Sequence, residues 1–235
     1  LRVELEPGYG ILIRRYKRFL ADIELENGEV ITIHCPNTGS MKGCAEPGSQ
    51  VYYSRAANPK RKYPFTWELG RTPEGHWICV NTSRPNEMVG EAIRNGVIEE
   101  LAGYEHHRPE VRYGSQGSRA DWFLSGHPNL PDCYVEVKNA TLLENGVGYF
   151  PDAVSTRASK HLEELSDMVR SGFRSVLCYV VNHSGIDSVQ AARHIDPVYA
   201  ESVKKAHAAG VEVLAYKSCL SVSEMVLDHR VPVII

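Results

Sequence analysis

The 235-residue chain has no run of eighteen apolar residues, no surplus of one charge and no internal repeat. Each absence removes a class. Without a long apolar run there is no membrane span. With 26 Lys and Arg against 29 Asp and Glu, the formal net charge is −3. Overall charge therefore does not mark a nucleic-acid protein, and any such surface must be local. The first residues, Leu1-Arg2-Val3-Glu4-Leu5-Glu6, lack the basic-then-apolar order of a secretory leader. The six cysteines form no C-x-x-C and the ten histidines no H-E-x-x-H, which argues against zinc. Cys79, Cys133 and Cys178 lie inside apolar strand patterns and read as small buried hydrophobes in a reducing cytoplasm. Metal chemistry, if present, must then use oxygen ligands. The glycine-rich stretch from Cys35 to Gly43 lacks the P-loop spacing. There is no dinucleotide fingerprint, and no Ser/His/Asp arrangement has helpful local context.

What is present is an ordinary core-forming composition, 43% hydrophobic and 23% charged. The pattern changes near Pro85. Before it, residues 11–25 read as one long strand with Ile11, Ile13, Phe19, Ala21, Ile23 and Leu25 on its apolar face, too long to stay flat, which must bend near Arg15 to Lys17. Asn27-Gly28 reads as a two-residue hairpin turn into residues 30–35. Strands at 51–54, 65–71 and 77–81 follow, the last two flanking Pro73-Glu74-Gly75. Five strands with no convincing helix suggest a small Greek-key barrel of the OB type, a five-strand sandwich being the alternative. After Pro85 the order is α-β-β-β-α-β-α-β, which predicts an α/β unit with a mixed sheet and helices on its faces. Its helices are expected at 86–94, from Val154 to Val169, and at 198–209. Its last strand is expected at 211–216. The expected domains are 1–83 and 84–235.

The stretch around which this second unit is organised is Cys133-Tyr134-Val135-Glu136-Val137-Lys138-Asn139-Ala140. Alternation puts Glu136 and Lys138 on one face and Val135 and Val137 on the other. Alone this is an ordinary half-buried strand. In the middle of a sheet, where covered strands are usually continuous apolar runs, its charges would need a partner or a metal. Asp121 stands inside the preceding strand, where Asp is disfavoured. If the two strands are neighbours, Asp121 and Glu136 converge, and Mg²⁺ is held by one or two such carboxylates plus waters and phosphate oxygens. Lys138 would orient a water or steady a phosphate.

Arg157, Lys160 and His161 share a face early in the next helix, where anions are already favoured. A phosphate clamp is expected for Lys160. For His161 a place at the edge of the core is an equal alternative, and Arg157 could instead pair with Glu164 or Asp152. In the first unit, Arg14, Arg18, Lys60, Arg61 and Lys62 accompany aromatics, as in OB barrels that bind nucleic acid. Phe19, Phe65 and Trp67 are expected in the core. Gly114-Ser115-Gln116-Gly117-Ser118 reads as a turn before the Asp121 strand.

At this point the sequence resembles a known family, the sugar fermentation stimulation proteins. The likeness rests on His34-Cys35-Pro36-Asn37-Thr38-Gly39, Lys60-Arg61-Lys62-Tyr63-Pro64, Ser118-Arg119-Ala120-Asp121 and Glu136-Val137-Lys138-Asn139-Ala140-Thr141-Leu142. Tyr149-Phe150-Pro151-Asp152-Ala153, Thr156-Arg157 and Lys160-His161-Leu162 complete it. Ala120 and Ala158 depart from it, standing where a larger aliphatic residue and Gly are usual. The resemblance implies an OB-like domain joined to a nuclease-like domain of the PD-(D/E)XK class. Asp121, Glu136 and Lys138 would take the nuclease positions, with Asp121 and Glu136 holding Mg²⁺ or Mn²⁺. Arg119 joins the expected phosphate contacts. It further implies DNA as partner and a link to regulation of sugar metabolism genes; the cytoplasmic location and the absence of a membrane are expected from the composition, with a homodimer left open.

Overall fold

The computed structural model describes residues 1–114 and 117–235. Its first unit is built from β1 (Gly10–Tyr16), β2 (Leu20–Glu24), β3 (Val30–His34), β4 (Gln50–Arg55) and β5 (Phe65–Arg71). They run in the order β3-β2-β1-β4-β5, and β3 also pairs with β5 at His34↔Thr66. That last contact closes the sheet into the five-strand barrel of the OB type. A short β6 (Trp77–Cys79) extends β5 at its other end.

The long first strand is corrected here. Residues 11–25 do not bend; the chain reverses between Tyr16 and Leu20, with Lys17 and Arg18 at φ 50° and 66°. A register shift between Leu12 and Arg14 moves the inward position. Leu12 is buried, while Ile11 and Ile13, expected on the apolar face, are exposed. Phe19 is exposed on the reversal and Trp67 is fully buried, so the core assignment fails for Phe19 and holds for Trp67. The turn at Asn27-Gly28 spans three residues rather than two, because Leu25 N–H bonds Glu29 O and Gly28 takes φ 80°.

The second unit starts with α1 (Arg84–Arg94), whose Pro85 sits at the first turn, where no amide donor is needed. Then come β7 (His106–Tyr113), β8 (Ser118–Ser125) and β9 (Cys133–Ala140). The hairpin β10 (Leu142–Glu144) and β11 (Val147–Phe150) precedes α2 (Thr156–Arg170). The chain continues through β12 (Arg174–Val181), β13 (Ser188–Ala191), α3 (Pro197–Ala208), β14 (Glu212–Leu220), β15 (Met225–Arg230) and β16 (Val233–Ile234).

The main sheet has the order β15-β14-β12-β9-β8-β7. β9, β12 and β14 are parallel, and the outer pairings are antiparallel. A smaller sheet, β10-β11-β13-β16, was not expected from sequence, because strands of two to four residues carry too little alternation to read. The strand at 211–216 is accordingly not the last. Val154 is not part of the α2 stripe; it lies before the helix and is 72% exposed. The turn expected at 114–118 falls partly outside the described residues.

One apolar core lies between the sheet and α1 and takes in Tyr52, Leu69 and Cys79 of the barrel strands. A second lies under α2 and α3. Main-chain bonds also join the units, with Cys79 N–H on Asn182 O and Ser184 N–H on Trp77 O. Among the described residues no helix is long and apolar enough to cross a membrane.

Candidate metal and nucleic-acid site

β9 occupies the interior of the sheet, flanked by β12 and β8. The β8–β9 ladder holds at Leu124↔Cys133, Phe123↔Tyr134 and Trp122↔Val135, then stops. Where it stops, the Asp121 carboxylate replaces the missing backbone acceptor: its Oδ2 accepts from Val137 N–H at 2.6 Å. Its Oδ1 accepts from Asn86 Nδ2 of α1 at 2.8 Å. The opening of the ladder and the placement of the acid are therefore one event.

Glu136 is 2% exposed. Its Oε1 accepts from Lys138 Nζ at 2.6 Å and contacts His161 Nδ1. Its Oε2 has no hydrogen-bond partner. Arg157 Nε donates to His161 Nε2 at 3.4 Å, which leaves the His161 ring proton on Nδ1, facing Glu136. Burial would push Glu136 up, but the His161 hydrogen bond and the Lys138 charge overcome it and hold the group below its usual value. Asp121 goes the other way. Burial first and the neighbouring Glu136 charge second push it up to about 6, against the Val137 amide, Asn86 and Lys138. Two carboxylates pushed apart in this way are a common mark of a functional site.

Both acids line an open cleft of about 1050 Å³. Arg119, Arg157, Lys160 and His161 line it too. His161 is 5% exposed, so it is both a core-edge residue and a cleft residue. Arg157 pairs with neither Glu164 nor Asp152; Asp152 instead accepts from Ser40 Oγ at 2.9 Å and Met41 N–H at 3.1 Å.

Two residues that sequence reasoning missed fix this wall. Asp196 caps α3 through Tyr199 N–H at 2.9 Å and also accepts from Ser155 N–H, at the start of α2, at 2.8 Å. Both helix N-termini are thereby aimed at the cleft. Asn86 orients Asp121. The Asp-Pro at 196–197 was a legible helix start; nothing in the local pattern distinguished Asn86.

The basic residues of the barrel fall in two groups. Arg18 lies on the β1–β2 loop, and Lys60, Arg61 and Lys62 lie on the β4–β5 loop, the two loops with which OB barrels bind. His34 joins them: it pairs with Leu20 beside the first loop and with Thr66, whose hydroxyl accepts from Arg61 at 2.8 Å. Arg14 stands apart, on β1, bonded to Asp22 at 2.8 Å. Arg15 ties the first loop to the β3–β4 loop, donating to Arg18 O, Asn37 O and Gly39 O. Since Ser40 bonds Asp152, a continuous set of contacts runs from the barrel loop to the α2 end of the cleft. Among the described residues, no three His, Cys, Asp or Glu side chains are already gathered at metal-binding distance.

A closed OB barrel followed by a mixed-sheet α/β domain, with paired acids in a cleft that also carries Arg119, Arg157 and Lys160, defines a two-domain class. The family model described as the SfsA N-terminal OB domain matches residues 13–80, and the one described as the sugar fermentation stimulation protein RE domain matches residues 83–224. The chain belongs to the sugar fermentation stimulation protein (SfsA) family. It is 58% identical over 233 residues to a sugar fermentation stimulation protein homolog of Hahella chejuensis, covering 99% of this chain and 97% of that one. A homolog from Shewanella frigidimarina is 60% identical over 218 residues, 93% and 92% of the two chains. The solved structure of Pyrococcus furiosus SfsA in complex with Ca²⁺ matches over the whole of both chains, with a TM-score of 0.87 at 24% identity. The fold is shared.

Proposed function

We propose that this protein binds DNA and cuts it at a divalent-metal-dependent phosphodiesterase centre formed by Asp121, Glu136 and Lys138, a PD-(D/E)XK-type arrangement. The observation that carries the reading is the convergence of Asp121 and Glu136, from neighbouring strands, in a cleft edged by Arg119, Arg157 and Lys160. The donor set fits a hard cation. It is all oxygen, it includes the partnerless buried Glu136 Oε2, and burial together with the Glu136 charge raises Asp121, which a bound cation would offset. Asp121 and Glu136 would hold Mg²⁺ or Mn²⁺. When bound, such an ion supplies an acidified water and neutralises charge on phosphate oxygens. Ca²⁺ in the Pyrococcus relative is of the same oxygen-seeking kind.

His161 and Lys138 keep Glu136 ionised, and Lys138 would steady the attacking water or the phosphate. Arg119, Arg157 and Lys160 hold the DNA backbone, and the loops bearing Arg18 and Lys60 to Lys62 extend that track over the barrel. The test is incubation of single- and double-stranded DNA with Mg²⁺, Mn²⁺ or EDTA. Cleavage should need the metal and be abolished in Asp121→Asn, with DNA affinity largely kept.

One observation favours a second reading. Lys138 and His161 together occupy Glu136 Oε1, an arrangement that suits a DNA-binding regulator of sugar metabolism genes without catalysis. Metal-independent binding with no cleavage of any DNA form would select it.

A further inference from the structure

β7 carries an anomaly the reading above does not use. Glu110 takes φ 55° inside a strand whose flanking residues pair normally, Pro109↔Trp122 and Val111↔Ala120. Left-handed backbone is strained for a residue with a Cβ, and such strain gathers at functional sites. The two flanking pairs put Glu110 opposite Asp121. On the other side, Trp122↔Val135 puts Glu136 next in line. Three adjacent strands thus offer a carboxylate at one level of the sheet, with strands about 4.8 Å apart.

An exposed acid on an edge strand can also serve only to block pairing with another sheet. That role does not explain where Glu110 lies. It lines the main cleft with Asp121 and Glu136, and it also lines, with Asp121, a second cleft of about 440 Å³ toward α1. Independently, the main cleft contains two polar atoms on side chains more than nine-tenths buried that have no partner, Glu136 Oε2 and Ser159 Oγ. Buried orphans of this kind call for a bound ion or water. The Glu110 side chain is 58% exposed, and its approach to Arg119 Nη1 is 3.9 Å, too long for a hydrogen bond. It can therefore rotate onto a cation without giving up a bond to Arg119.

We propose that Glu110 is a further ligand of the divalent cation, supplied by the edge strand, so that the ion is held from β7 and β8 as well as β9. This deepens the metal-dependent reading above and rests on it. The predicted role is in binding, so it can be read without turnover.

The experiment is calorimetric titration of the full chain with Ca²⁺, and with Mn²⁺ followed by the electron paramagnetic resonance of the free ion. Glu110→Gln should weaken both ions about 10- to 100-fold, a range seen even for residues that only support metal ligands. Glu110→Gly removes the carboxylate and the backbone strain together. It should melt no lower than the wild type and show the same loss, which separates ligation from misfolding. Glu110→Asn keeps a polar edge, tolerates the left-handed backbone and adds no positive charge; an edge guard would leave cation affinity unchanged in it, whereas a ligand predicts the loss. Unchanged affinity in all three variants, with loss in Asp121→Asn, overturns this inference and leaves the metal site standing. Failure of the wild type to bind either ion overturns both.

Discussion

Two glutamates in this protein are almost equally buried, Glu68 at 1% and Glu136 at 2% exposed, and they are treated in opposite ways. Glu68 sits where the barrel meets α1. Ser54 Oγ, Asn81 Nδ2 and both Arg84 Nε and Nη2 donate to it, so every lone-pair direction toward protein is met. Glu136 has Lys138 and His161 on one oxygen and nothing on the other, and it opens on a cleft. The barrel side of the interface closes its charges against one another; the cleft leaves one unmatched. A buried charge that is fully paired holds domains in register. One that keeps a free oxygen at the edge of a cleft has room there for a cation or a water.

The comparison can be broken most sharply at Glu68. Glu68→Ala leaves Arg84 with only its contact to the exposed Glu87, and removing one partner of a buried pair costs about 3–5 kcal/mol. Urea denaturation should show a loss of that size; a loss under about 1 kcal/mol would mean that the interface does not depend on this pair.

The same interface holds His183, 3% exposed, its ring 5.2 Å from that of His76. Burial first, then His76 and Lys217, push its pKa down to about 4. A histidine held neutral gives its full stability above its unfolded pKa of about 6.5 and loses it as pH falls toward 4, roughly 3 kcal/mol in all. Urea midpoints measured across that window should fall in the wild type and fall less in His183→Gln.

The cleft should respond to metal instead. Ca²⁺ at about 100 times its Kd should stabilise the wild type by about 2.7 kcal/mol. Asp121→Asn relieves repulsion with Glu136 but turns an amide donor toward Val137 N–H or Asn86 Nδ2, so its own metal-free melting temperature is the baseline, and Ca²⁺ should not raise it. If Ca²⁺ raises the melting temperature of Asp121→Asn as much as that of the wild type, the ion binds elsewhere.

The smallest effect on stability, within about 0.5 kcal/mol for surface positions, is expected for joint replacement of Lys60, Arg61 and Lys62 by Ala. On duplex DNA, about four phosphate contacts give a slope of log K against log salt near −3.6, and the triple variant should flatten it by up to about three units. An unchanged slope would leave the α/β domain as the DNA surface.

Local pattern is enough to read the larger elements and their order. Strands such as Cys133–Ala140 and Arg174–Val181, and helices such as Thr156–Arg170, are long enough for alternation or a 3.6-residue stripe to accumulate. It also determined the candidates, because Asp121 and Glu136 break the local rules of the strands that carry them. What it could not determine depends on pairs of residues far apart in the chain. The reversal at Lys17-Arg18 and the outward turn of Ile11, Ile13 and Phe19 follow from hairpin register, to which an alternating pattern is blind. The four-strand second sheet is made of segments too short to announce themselves. Only the tertiary structure decided that the β8–β9 ladder opens at Asp121, that Asn86 and Asp196 hold the walls of the cleft, and that Glu136 keeps one oxygen unmatched. Those facts are set by which backbone groups are left without a partner when strands diverge, and that is a property of the assembled sheet rather than of any one segment.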